Sequence, residues 1–239
     1  MAKQNRTLST EEAVRRVKLI VDLLLVDVRM AVTAHVTMET LNDRIPPLGD
    51  QPTDPAYTVK AIQDALALKV AMDAARIFDV TENAQYPVEK QDKASIPVLA
   101  ALLAREDVEG VLVEEARHWF PIIAEEQMAA CRRAVAGFIH TAQLVQADGT
   151  KERGAFIRIR EFRTKRLAHH LFDQKPDAPP ICDDLTLLIS VATKAVKLAA
   201  LGINGKDIDP QRWIERDREQ ALQFCRCLIA GVDREASAG

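Results

Sequence analysis

Glycine and aromatic side chains are both scarce in this 239-residue chain, with nine glycines scattered singly and an aromatic content of 5%. A glycine-rich loop that could cradle phosphate is therefore absent, as are the Gly-x-Ser-x-Gly elbow and the His-Glu-x-x-His metal motif. Sheet proteins need turn residues and alternating β-branched or aromatic positions, and no such pattern survives a pass along the chain. The four cysteines, Cys131, Cys182, Cys225 and Cys227, show neither Cys-x-x-Cys pairing nor zinc-finger spacing, so free thiols in a reducing compartment are expected. Cys225 and Cys227 lie two apart on a predicted helix and point in different directions, which argues against joint metal ligation. His35, His118 and His140 stand alone on predicted helices and read as packing residues. No metal and no cofactor are expected.

Long uninterrupted apolar runs are also missing. The longest candidate, Val17–Val36, is broken by Lys18, Asp22, Asp27 and Arg29, which predicts a buried helix and no membrane span. The opening MAKQNRTLST lacks the apolar segment of a secretory signal, so a cytoplasmic location is expected. Charge of one sign does not dominate: the formal net charge is −3, so any polyanion site must be a local patch.

What is present is 48% hydrophobic and 28% charged sequence, arranged with helical periodicity. Ser9-Thr10-Glu11-Glu12 has the form of a capping box, with Ser9 as cap and Glu12 reaching back. It opens a helix to about Asn42 with Leu19, Leu23, Val26 and Met30 as its apolar stripe. Four of the 11 prolines fall in Ile45–Pro55, which reads as loop. A second helix covers Ala56–Asp79, with Val59, Ile62, Leu66, Val70 and Ile77 on one stripe. After a polar loop, Val80–Lys93, Ser95 caps a short helix carrying Ile96, Leu99, Leu102 and Leu103. The region Val108–Gln146 is helical and divided or kinked at Pro121. Asp148-Gly149 marks a turn before a helix over Lys151–Phe172, and Lys175–Pro180 is a second proline loop. A helix over Asp183–Leu201 ends at Gly202, and Pro210 opens a last one to about Val232. Residues 1–8 and 233–239 are expected to fray. The sum is one all-α domain over residues 1–239, an antiparallel helical bundle.

The chemistry concentrates in Glu161–Asp173, EFRTKRLAHHLFD. Lys151–Lys175 holds eight Lys/Arg against three acids, a net of +5 inside an acidic chain. At about 100° per residue, Phe156, Ile159, Arg163 and His170 share one stripe, and Phe162 leads to His169 on the next. Arginine offers phosphate a fixed cationic fork, and histidine moves protons near neutral pH. Lys165 and Arg166 add charge, and Thr164 adds a hydroxyl. The plain alternative is a solvated basic helix with two incidental histidines. Asp73 sits between Val70 and Ile77 on the apolar stripe of the second helix, where an unpaired carboxylate is costly. It is expected either to form a structural ion pair or to orient an arginine of the motif helix. Asp27 occupies a similar place among Ile20, Leu24 and Ala31.

The segment Arg163-Thr164-Lys165-Arg166-Leu167-Ala168-His169 resembles the HEPN superfamily mark, an arginine followed after four to six residues by histidine. Within that superfamily the chain is similar to the abortive-infection AbiU-like branch. Supporting likenesses are the second-helix ending Asp73-Ala-Ala-Arg76-Ile77-Phe78-Asp79, the polar loop, and the short helix Ser95-Ile96-Pro97-Val98-Leu99. The resemblance implies a HEPN-like helical bundle with additional helices that dimerises and joins two Arg/His pairs in one cleft. It further implies a metal-independent ribonuclease of a phage-defence or toxin–antitoxin system, with RNA as substrate and an antitoxin protein as a possible partner. Arg163 would hold the scissile phosphate, and His169 or His170 would act as acid or base, with Thr164, Lys165, Arg166 and Asp73 in support. The position after the arginine is Thr164, where relatives often carry Asn, Asp or His. The tyrosine that some relatives present for nucleotidylation is replaced by Leu171 or Phe172. A second reading is a non-catalytic helical module that binds nucleotide or RNA, or serves assembly.

Overall fold

Residues 8–44, 54–81, 86–164 and 181–238 are described by the computed structural model. They form eight α-helices: α1 (Thr10–Arg44), α2 (Asp54–Ile77), α3 (Ile96–Leu103), α4 (Glu106–Ala116), α5 (Ala124–Gln146), α6 (Lys151–Phe162), α7 (Cys182–Asn204) and α8 (Pro210–Ala238). Short 3-10 turns lie at Val88–Lys90 and Pro121–Ile123. Among the described residues there is no strand, so the protein is all-α. Pro121 divides the predicted long helix into α4 and α5, because its ring removes a donor and blocks the preceding turn. Residues 45–53, most of the first proline loop, and residues 165–180, which hold the second, lie outside the described residues.

α1 and α7 organise the bundle. α7 packs most extensively against α5 and α1, and α1 is flanked by α2 and α8 as well. The α1/α2 pair is antiparallel: Arg76 meets Asp27 at one level, and Gln63 donates to Asn42 at another. α8 departs from the antiparallel expectation. It runs in the same sense as α1, with Arg29 meeting Asp217 and Leu41 packing beside Cys225 further along both helices. One apolar core draws on every helix from α1 to α7, with Leu24, Phe78, Leu99, Leu112, Phe138, Ile159 and Leu188 wholly enclosed. By length and composition α7 could cross a membrane. Its residues Leu188, Ala192, Ala195 and Val196 are buried in this core instead.

Two glycines need their lack of a side chain. The predicted stop at Gly202 is not a stop: α7 continues to Asn204 and ends on Gly205, whose φ of 63° is the left-handed cap conformation. A Cβ at Gly205 would also lie 2.7 Å from the Trp119 ring. Gly202 serves packing. A Cβ there would meet Ala134 and Val135 at 3.2 Å, so the glycine is what lets α5 approach α7 closely.

The last helix, α8, is assigned to Ala238. The capping box at the start of α1 is half made. Ser9 Oγ accepts from the Glu12 amide at 3.3 Å, but the Glu12 carboxylate turns to Arg15 and Arg16. Ser95 stands at the N-cap of α3 with extended backbone and makes no cap bond through its side chain. The largest correction concerns α1. The stripe Leu19, Leu23, Val26 and Met30 faces outward, and the buried face is Val17, Ile20, Val21, Leu24, Val28, Ala31 and Val32. On α2, Val59, Val70 and Ile77 are buried as expected, whereas Ile62 is exposed.

Candidate functional site

α6 carries the described part of the basic segment, and its start is firmly made. Gly149 turns the chain at φ 81°. Thr150 then caps the helix, its Oγ1 accepting from the Arg153 amide at 3.1 Å and donating to the Leu144 carbonyl at 2.6 Å. Apolar residues at helical spacing, Ala155, Phe156 and Ile159, press one face into the core. Phe156 meets Phe78, in the turn that follows α2, edge-on, with ring centroids 6.2 Å apart. The same stripe leads to Arg163, which is half-buried at the end of α6, its backbone amide bonded to the carbonyls of Arg160 and Ile159. Thr164 follows with its side chain exposed. Lys165, Arg166, His169 and His170 lie outside the described residues.

One of the basic residues in this segment is already engaged. Arg158 grips Asp184, at the start of α7, through both oxygens: Nε to Oδ2 at 2.8 Å and Nη2 to Oδ1 at 2.5 Å. Asp184 also accepts from the Ile181 amide at 3.0 Å, which closes the first turn of α7. The Arg158 hydrogen bond, helped by that amide, outweighs burial and holds the Asp184 carboxyl below the usual carboxylate range. The pair therefore fixes α6 on the N-terminus of α7, where the helix dipole also favours a carboxylate. Sequence reasoning counted Arg158 only as part of the basic run and passed over Asp184. Its signal was there: a carboxylate at the third position of a helix, next to apolar Leu185, is a self-capping pattern.

Asp73 is buried as anticipated, and its partners among the described residues lie on α2. Lys69 reaches Oδ2 at 2.7 Å and Arg76 reaches Oδ1 at 3.3 Å, both from α2 itself. Arg76 also binds Asp27 of α1 at 2.9 Å. The carboxylate thus belongs to a network joining α1 and α2, the structural ion pair that was one of the two expectations, while Arg166 of the motif lies outside the described residues. Helical spacing explains this: positions i−4 and i+3 supply cations on the same face before any other helix is needed.

The lone histidines divide. His35 is buried, and its Nε2 lies 3.0 Å from Thr186 Oγ1 of α7. Burial lowers the affinity of its imidazole for a proton, opposed by the nearby Glu39 carboxylate. His118 and His140 are exposed. All four cysteines are free thiols, with Cys131 and Cys225 buried and Cys182 and Cys227 exposed. Burial pushes the Cys131 thiol up to about 11, which leaves it protonated and inert. Among the described residues no three potential ligands gather to hold a metal ion.

The fold and this geometry define an all-α bundle with a basic helix end anchored in its core. Compared with family models, with curated proteins and with solved structures, the chain matches none.

Proposed function

We propose that this protein is a metal-independent endoribonuclease of the HEPN type, acting in the cytoplasm as a homodimer on RNA in a phage-defence or toxin–antitoxin setting. The observation that carries the reading is the anchoring of Arg163. It ends a helix held by Phe156 and Ile159, while two histidines follow in sequence six and seven residues later. Pre-organisation of a guanidinium matters because phosphoryl chemistry relies on donors already aimed at developing charge. In the reaction the ribose 2′-oxygen attacks phosphorus and the bond to the 5′-oxygen breaks. His169 or His170 takes the 2′-hydroxyl proton, a second imidazole protonates the leaving oxygen, and Arg163 neutralises the phosphorane. The products are a 2′,3′-cyclic phosphate and a 5′-hydroxyl. Lys165 and Arg166 supply phosphate contacts along the strand, and Thr164 supplies a hydrogen bond.

The test compares purified wild type with Arg163→Ala, His169→Ala and His170→Ala on RNA in the presence of EDTA. Wild type is expected to cleave and leave cyclic phosphate ends. Arg163→Ala and one of the histidine variants should lose roughly 10²–10⁴-fold in rate. Light scattering should give twice the chain mass. Intact RNA with wild type, or equal cleavage by all four proteins, overturns the reading.

A further inference from the structure

A cleft of about 480 Å³ opens between α1, α7 and α8, remote in sequence from the basic segment of α6. Its polar groups are a buried His35, a part-exposed Glu39 and an exposed Thr186: His35 Nε2 lies 3.0 Å from the Thr186 hydroxyl, which also donates to Glu39 at 3.3 Å. One wall is apolar, formed by Val32, Val36, Ile189 and Ile214. Its size falls within the roughly 300–1,000 Å³ usual for small-molecule sites, which pair apolar walls with a few placed polar groups.

The charges at the rim are unevenly used. Both acids are engaged, Glu39 by Thr186 and His35, and Asp209 by Arg212 at 3.3 Å and the Gln211 amide at 3.1 Å. Of the cations, Lys197 lies 3.9 Å from Asp207. Lys194 and Arg218 have no ion pair among the described residues. The Ser190 hydroxyl, on the same rim, likewise has no hydrogen bond among them. Two uncompensated cations and a hydroxyl beside an apolar wall are complementary to a dianion attached to a flat apolar group. Lysine supplies a compact charge, arginine a two-pronged one suited to phosphate.

From this geometry we infer that the cleft between α1, α7 and α8 binds a phosphomonoester of nucleotide size, its phosphate held by Lys194, Arg218 and Ser190 and its ring against Val32, Val36, Ile189 and Ile214. The site is separate from Arg163 and does not depend on RNA cleavage. A small ligand seated there would join α8 to α1 and α7, so binding should also stabilise the fold by mass action.

Calorimetric titrations of the full chain with AMP, adenosine and inorganic phosphate at low salt test it. AMP should bind saturably and at least tenfold more tightly than adenosine or phosphate. Arg218→Gln and Lys194→Gln should each weaken AMP at least tenfold, with helical circular dichroism unchanged because both side chains are exposed. Arg163→Ala should leave AMP binding as in wild type, which separates this site from the ribonuclease proposal. In proton NMR, AMP should shift the imidazole signals of His35, identified by their loss in His35→Gln. Absence of saturable AMP binding, equal binding of adenosine, or AMP binding untouched by both cleft variants overturns the inference.

Discussion

Leu23 and Leu24 stand side by side on α1 and have opposite fates: Leu24 is 0% exposed, whereas Leu23 is 46% exposed. Each belongs to a stripe of the same periodicity. Leu24 runs with Val17, Val21, Val28 and Ala31 inside the core, while Leu23 runs with Leu19, Val26 and Met30 along the outside. The difference teaches that periodicity identifies a helix but not which of its faces is covered. Where a helix is apolar nearly all round, only the packing of its neighbours decides. Here the inward face, Val17, Ile20, Val21, Leu24, Val28 and Ala31, is the one covered by the helices packed on α1.

The same distinction governs what could be read from the chain before its fold was known. Helix positions were legible because proline and glycine punctuate them at Pro121, Gly149 and Pro210. Gly202 and Gly205 were confused because a glycine that ends a helix and one that lets two helices touch look identical in sequence. The basic stretch around Arg163 was legible because its residues are consecutive. His35, Ser190, Lys194 and Arg218 were not, since no local pattern links positions that only α1, α7 and α8 bring together. Asp73 lies between these cases: its burial and its need for an ion pair followed from the apolar positions around it, and Lys69 and Arg76 on its own helix supply that pair.

The largest effect expected on α1 is at the inward stripe. Leu24→Ala removes a fully enclosed side chain and should cost about 2–5 kcal/mol of unfolding free energy, read from urea denaturation. A loss under about 1 kcal/mol would mean that the inward face is not tightly packed, and the contrast with Leu23 would collapse.

An intermediate effect is expected where polar groups clamp the flank of α1 to α8. Asp217 is buried, and Arg29 reaches both its oxygens, with Nη2 to Oδ1 at 2.6 Å. Arg29 also lies over the Trp213 ring, 5.6 Å from its centroid. Burial alone would raise the Asp217 carboxyl. The hydrogen bonds from Arg29 and Thr33, with the charges of Arg29 and Arg216, outweigh it and hold the group below the usual carboxylate range. A depressed folded-state value means that the ionised pair contributes stability fully above the ordinary carboxylate value of about 3.9. That contribution is lost as pH falls through the lower folded value. Asp217→Asn should therefore cost about 1–3 kcal/mol at pH 7. Its stability should also fall less than that of wild type between pH 5 and pH 3, and parallel acid profiles would remove Asp217 as the clamp.

The smallest effect belongs to the outward stripe, and it decides whether that stripe is a surface at all. Leu23→Ala removes a side chain from water-facing positions and should change stability by less than about 0.5 kcal/mol. Leu23→Glu should be equally mild, because a carboxylate there stays hydrated and no core contact is lost. A cost above about 2 kcal/mol in dilute solution would show that the stripe is covered, and light scattering on the same samples identifies the cover. A fall from twice the chain mass to one on Leu23→Glu would place the self-association proposed above on α1. An unchanged mass with unchanged stability leaves Leu19, Leu23, Val26 and Met30 as solvent-facing side chains, single apolar residues of the kind most protein surfaces carry.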